Sequence, residues 1–154
     1  MNAYIIEKEN KMNIRRIEKE DLDRLVTFYI DYFNTEGDNW KYEIAYKRLH
    51  QMWNIDDNIN LIAEQNDMIC GFIMGYLEWF DDGPYFHIFE ILVNRNYQNK
   101  KVGETLVLNA EKIAKDAGAS VSTLETLNDE MHDHFYGKLG YSSKNNLAFK
   151  MKKL

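Results

Sequence analysis

The sequence predicts an α/β domain of the mixed α+β kind. Three observations carry that expectation. A strongly apolar run, Tyr85 to Val93, reads as a buried strand. A short glycine-bearing loop follows it, and then apolar residues fall at Val102, Leu106, Ala110, Ile113 and Ala117. Spacings of three and four put one stripe of a helix against a core. Turn-rich clusters, Asn34-Thr35-Glu36-Gly37, Gln65-Asn66-Asp67 and Asp81-Asp82-Gly83-Pro84, cut the rest into pieces of helix or strand length.

Taken in order, residues 1–11 mix charge with a short apolar patch, Tyr4-Ile5-Ile6, and read as an N-terminal extension or an extra edge strand. Met12 to Arg16 is the first real strand. Asp21 is placed to cap a helix with apolar positions Leu22, Leu25, Val26, Tyr29 and Phe33. A second helix, roughly Lys41 to Trp53, has Tyr42, Ala45, Leu49 and Met52 on one side. Asn60 to Glu64 reads as a strand, turning at residues 65–67 into a long second arm, Met68 to Phe80, that contains Gly71 and Gly75. The turn at 81–84 leads into Tyr85 to Val93. After the main helix, Gly118 supplies a stop. Val121 to Leu127 is the next strand, parallel to the previous one because a helix connects them. Residues 129–139 form a short helix on which Met131, Phe135 and Leu139 make the buried line. Tyr141–Ser143 and Leu147–Met151 make a closing hairpin.

At 154 residues the chain is expected to be one domain, residues 1–154, with enough length for a core. No stretch approaches the apolar length that spans a membrane. The single cysteine, Cys70, cannot form an internal disulfide, and its apolar surroundings suggest a buried thiol; with no export signal, the cytoplasm is the default compartment. No Cys/His cluster has metal spacing. The net charge of −6 argues against nucleic acid as partner and favours a cationic substrate.

The junction after Val93 concentrates chemistry. A strand, a short loop and a helix start present free backbone N–H groups, and Arg95, Lys100 and Lys101 crowd the same place. An anionic ligand is the natural reading. The stretch Gln98-Asn99-Lys100-Lys101-Val102-Gly103 resembles the phosphate-binding motif of the GNAT N-acetyltransferases, Arg/Gln-x-x-Gly-x-Gly/Ala. Gln98 matches its first position and Gly103 its last, while Lys101 stands where the middle glycine belongs. A glycine there lets the main chain approach a pyrophosphate; lysine keeps the N–H and adds an ammonium. Further on, Phe135-Tyr136-Gly137-Lys138-Leu139-Gly140-Tyr141 resembles the family's Phe-Tyr-x-x-Leu-Gly-Phe/Tyr segment, in the family's order and at its usual distance.

The resemblance implies a GNAT-like acyl-CoA N-acyltransferase fold, a mixed, mostly antiparallel sheet flanked by helices. It implies acetyl-CoA as cosubstrate, held by the strand Ile91-Leu92-Val93 and by the N–H groups from Asn99 to Glu104. Asp129 falls where the family often has an asparagine contacting the coenzyme, and Asn128 is adjacent. His132 shares a helical face with Asp129 and Tyr136. A homodimer is common in the family.

Amide formation needs a proton taken from the amine, a site for the oxyanion and a proton for the departing thiolate. In the family, the tyrosine matching Tyr136 is the acid; here it sits about 100 degrees round the helix from Phe135. Three residues compete for the base. Glu90 lies just before Ile91-Leu92-Val93. His87, of a residue type that changes charge near neutrality, is three residues earlier, and strand alternation puts the two on opposite faces unless a bulge intervenes. Glu125, on the next strand, lies one residue from a catalytic glutamate position of ribosomal-protein acetyltransferases of the family. The family also implies a main-chain N–H near Leu92 for the oxyanion. The acceptor site is expected between the first two helices, with Tyr29, Tyr32, Phe33, Glu36, Asp38 and Trp40, and at the turn before Tyr85, with Glu78, Trp79, Asp81 and Asp82. Aromatics with carboxylates suit an amine-bearing cation. Phe89 stands where polyamine acetyltransferases of the family have an acidic substrate ligand. The expected activity is acetyl transfer from acetyl-CoA to a primary amine by direct attack. A protein N-terminus or lysine as acceptor, and a non-catalytic acyl-CoA-binding domain, stand as alternatives.

Overall fold

The computed structural model describes residues 11–154. The chain divides into two units, one ending at Leu124 and one spanning Glu125–Leu154. The leading segment, residues 1–10, lies outside the described residues.

The first unit runs β1 (Asn13–Arg16), α1 (Leu22–Thr35), α2 (Tyr42–Trp53), β2 (Asn58–Gln65), β3 (Met68–Phe80), β4 (Gly83–Val93), α3 (Val102–Asp116) and β5 (Val121–Leu124). Its five strands lie in sequence order; β1 to β4 pair antiparallel and β5 joins β4 in parallel, the helical crossover through α3 requiring it. The sheet is therefore the mixed, mostly antiparallel one expected. Asn66 and Asp67 both adopt positive φ (51° and 62°), as a two-residue hairpin turn between β2 and β3 demands.

Helices cover both faces. Leu25, Val26, Ala45, Leu49 and Met52 from α1 and α2 pack with Ile62, Phe72, Met74 and Leu92. On the opposite face α3 comes so close that a Cβ at Gly71 would meet Leu106 and Val102 side chains at 3.3 Å and the Leu92 carbonyl at 2.6 Å. Each fully buried leucine of this kind contributes about 1.5–3 kcal/mol. The stripe of α3 is Val102, Leu106, Val107, Ala110 and Ala114; Ile113 is half-buried and Ala117 exposed, because the helix ends at Asp116 and the residues beyond it leave the sheet.

Some local expectations are corrected. Asp21 does not cap α1. Its carboxylate accepts from the Glu18 N–H (2.8 Å) and takes both arms of Arg15 (2.7 and 2.8 Å), closing a 3-10 turn at Lys19–Asp21. Tyr42 is exposed, since at the first residue of α2 it overhangs the core that Ala45 and Leu49 enter.

The second unit holds α4, Glu130–Lys138. It ends in a main-chain device that explains its motif: Tyr141 N–H reaches Tyr136 O and Gly140 N–H reaches Gly137 O, both at 3.0 Å, with Gly140 at φ 90°. The rings of Tyr136 and Tyr141 pack at 5.8 Å across this Schellman stop. Met131 is exposed and Tyr136 buried, the reverse of the expected line, because the stop folds Tyr141 back onto Tyr136. The strand expected to Leu127 ends at Leu124. The closing hairpin does not form. Its turn bond is present (Leu147 N–H to Lys144 O, 3.3 Å), but no ladder follows, and Leu147, Phe149 and Met151 stay exposed. An arm of one tyrosine and two serines buries too little to hold two strands together.

Candidate active site

The register of β3 against β4 builds the site. Met74 pairs with Glu90 and Gly75 with Ile88, so Phe89 is the extra residue of a bulge. Tyr76, two residues from Met74 and therefore on its face, pairs with His87. The bulge thus places His87 and Glu90 on one face of the sheet, the face covered by α1 and α2, where strict alternation would have separated them. Gly75 permits the close approach: a Cβ there would lie 2.6 Å from the His87 carbonyl and 2.6 Å from the Phe86 ring.

The same bulge opens the strand edge. β5 pairs with β4 only from Tyr85 to Ile88, while β4 continues to Val93. From Phe89 onward, alternate main-chain groups of β4 face no strand on that side among the described residues of this unit.

Around the bulge the side chains are engaged. Phe89 stacks on Tyr76 (centroids 4.8 Å apart), and His87 meets both rings edge-on at 5.5 and 5.7 Å. The His87 Nδ1 bonds the Thr123 hydroxyl at 2.9 Å. Glu90 receives the Arg48 guanidinium at 3.3 Å, and the Tyr29 hydroxyl acts electrostatically on both. Burial pushes the Glu90 carboxyl above its ordinary value, against the opposing pull of Arg48 and Tyr29. Burial, and then the Glu90 charge, push the Tyr29 hydroxyl up to about 12.

At the far end of β4, Asn94 anchors the loop. Its N–H bonds Cys70 O (2.8 Å), its amide donates to Ile69 O, and its side-chain oxygen accepts from Asn96 N–H. Asn99 and Lys101 are left-handed, at φ 59° and 61°, and Lys101 is the residue before α3, with no side-chain cap. Left-handed turns of this kind gather successive N–H groups into an anion-binding concavity. The first N–H to find a helical acceptor is that of Thr105, on Lys101 O (2.9 Å), so those of Val102, Gly103 and Glu104 have none within the helix. Gln98, Asn99, Lys100 and Lys101 are exposed, while Gly103 is buried against the sheet. This donor set, with two lysines beside it, fits a diphosphate. Arg95 does not belong to it: the guanidinium lies 4.2 Å over the Tyr32 ring, bonds Tyr32 O and pairs with Glu36.

The sequence model of the Acetyltransferase (GNAT) family matches residues 22–141, most of the chain. The chain belongs to the GNAT acetyltransferase family. No curated protein sequence is matched significantly. Among solved structures, the GNAT chain resembles an aminoglycoside N-acetyltransferase, AAC(6')-Iy in complex with CoA. The TM-score is 0.78 at 13% identity, over 97% of this chain and 100% of that one. A possible acetyltransferase from Clostridium difficile 630 matches with TM-score 0.78 and 19% identity, over 93% and 98% of the chains. A predicted acetyltransferase with acetyl-CoA from Clostridium acetobutylicum gives 0.74 and 15%, over 92% and 96%. At these identities the likeness establishes the fold.

Other residues expected in this GNAT site are placed as follows. Ile91 and Val93 are half-buried on the α3 face of β4; the Leu92 side chain is buried in the α1–α2 core, so only its main chain is available. Phe33 and Trp40 pack around Tyr29, at 4.6 and 5.2 Å. Trp79 is exposed near the tip of the β3–β4 hairpin, bonded to Asp57 (2.8 Å), and does not join that aromatic set. The carboxylates expected along the acceptor wall are largely committed: Glu36 to Arg95, Asp38 to the Trp40 indole, Asp82 to the Tyr85 hydroxyl. In the second unit Glu125 is exposed, and Asp129 caps α4, accepting from the His132 N–H (2.9 Å) and facing its Nδ1 (2.7 Å). That hydrogen bonding holds the Asp129 carboxyl below its ordinary value. Tyr29, Arg48, Tyr76 and Thr123 complete the surroundings of Glu90 and His87. Tyr29 is expected both in the apolar stripe of α1 and at the acceptor wall; Arg48 is the side chain the sequence reading misses, although three residues after Ala45 and four before Met52 it flanks the buried stripe of α2.

Proposed function

We propose that this GNAT domain transfers acetyl from acetyl-CoA to a primary amine, by direct attack in a ternary complex. The observation that carries the reading is the bulge at Phe89, which sets two proton-accepting side chains on one face of β4 and frees the edge of the same strand.

Acetyl-CoA, the family's cosubstrate, supplies an activated thioester. Its diphosphate is received by the N–H groups from Asn99 to Glu104 and by Lys100 and Lys101. Main-chain N–H groups on the free β4 edge near Leu92 receive the oxyanion. Glu90 takes the amine's proton, directly or through water, and His87 is the second acceptor on that face. Tyr136 has the acid's role through its motif, protonating the departing thiolate. Cys70 is not proposed as an acyl carrier: it is buried, and burial raises its thiol and so disfavours the nucleophilic thiolate.

For the acceptor we infer a small cationic amine. Ring faces at Phe33, Trp40, Tyr76 and Phe89 and a net charge of −6 support it, and aminoglycoside acetyltransferases share the fold. A thiol-release assay with acetyl-CoA, run across aminoglycosides, polyamines, amino acids and peptides, tests this. Turnover should be greatest with a small amine. Turnover confined to peptides would replace that acceptor, and none with any amine would remove the enzymatic reading.

A further inference from the structure

We propose that Arg48 is the positioning residue for Glu90, reaching from α2 to the bulged strand and holding the carboxylate in the orientation that accepts the amine's proton. The inference rests on the reading of Glu90 as the base.

The geometry is one-sided. The Glu90 side chain is 16% exposed and that of Arg48 is 44% exposed, so the carboxylate is withdrawn while the guanidinium reaches in from outside. Arg48 Nη2 stands 3.3 Å from Glu90 Oε2. Tyr29, from α1, is the third group that acts on this pair. Among the described residues Arg48 is the one permanent cation acting on Glu90: Met74 is its partner on β3, Tyr76 and the imidazole of His87 lie further along the same face, and Asp38 acts on Tyr29 from the α1–α2 connection. A carboxylate this buried without a partner would take up its proton and cease to be a base. Arg48 therefore sets both the direction and the ionisation of Glu90. A planar guanidinium can fix a carboxylate as a compact ammonium cannot.

The test is the pH dependence of kcat/KM for the amine, measured for wild type, Arg48→Met, Arg48→Gln and Arg48→Lys, with E90Q as reference. Because Arg48 favours the charged carboxylate, its removal should move the acidic limb of the profile to higher pH, by about one unit. In Arg48→Lys the limb should return towards wild type, with kcat only partly recovered. The KM for acetyl-CoA should be unchanged in all three Arg48 variants, and Arg48→Gln guards against poor folding of Arg48→Met. If E90Q loses turnover while the limb stays put in both uncharged variants, the role given to Arg48 is wrong and the base reading survives. If E90Q keeps wild-type turnover, the base reading itself falls, and this proposal with it.

Discussion

Replacing Lys101 by glycine should stabilise the protein, although it removes a side chain from a helix end. Lys101 is held at φ 61°, ψ 16°, immediately before α3. For a residue with a Cβ, that conformation costs about 1–2 kcal/mol. Glycine escapes the cost but adds freedom to the unfolded chain, worth about 0.4–1 kcal/mol. The balance favours glycine by roughly 0.5–1 kcal/mol, or about 1–4 °C in the melting midpoint for a chain of this length. Lys101→Ala separates strain from charge, since alanine loses the ammonium and keeps the Cβ. Thermal and urea unfolding of the three proteins should rank glycine above both lysine and alanine. A glycine variant less stable than the alanine one would refute the reasoning, for it would mean that the left-handed turn carries no strain here. CoA affinity, measured on the same samples, tells which part of Lys101 serves the coenzyme. Glycine should bind at least as tightly as alanine, because the N–H is common to both and the glycine backbone lets the phosphate closer.

Further outcomes are expected. Tyr136→Phe should lower turnover about 10²-fold or more with CoA affinity unchanged, by steady-state rates and calorimetry; full activity would remove the acid's role. Asp21→Asn should cost about 2 kcal/mol in urea unfolding at pH 7, allowing for the partly exposed Arg15. The Arg15 hydrogen bond is the largest force lowering the Asp21 carboxyl, so its stabilisation is complete above the ordinary carboxylate range and is lost as pH falls through the lowered value. The gap between wild type and Asp21→Asn should accordingly narrow below about pH 4, and a gap that widened there would contradict the pairing. Gly75→Ala should destabilise by about 1–3 kcal/mol and depress turnover, because the added Cβ would press on the main chain of His87; an unchanged melt would mean the strands have room to part.

The sequence by itself determined the elements and the family. Periods of two and of three to four residues located α1 to α3 and β1 to β4, the Gln65-Asn66-Asp67 turn was legible from turn chemistry, and the crossover through α3 dictated a parallel β5. Gln98, Gly103 and the segment from Phe135 to Tyr141 carried the kinship. These are local properties, decided by neighbours within one or two turns.

Only the tertiary structure decided which side chains share a face. An extra residue in β4 reverses every alternation beyond it, so the relation of His87 to Glu90 depended on a register set by β3. The partner of Glu90 came from a helix 42 residues away in sequence, and Arg95 and Glu36 found each other across 59. Charge pairs of that separation leave no periodic trace, because their geometry is created by the packing of helices on the sheet and not by the spacing of residues along the chain. The unformed closing hairpin follows the same logic: alternation at Leu147, Phe149 and Met151 can suggest a strand, but a ladder needs a partner edge.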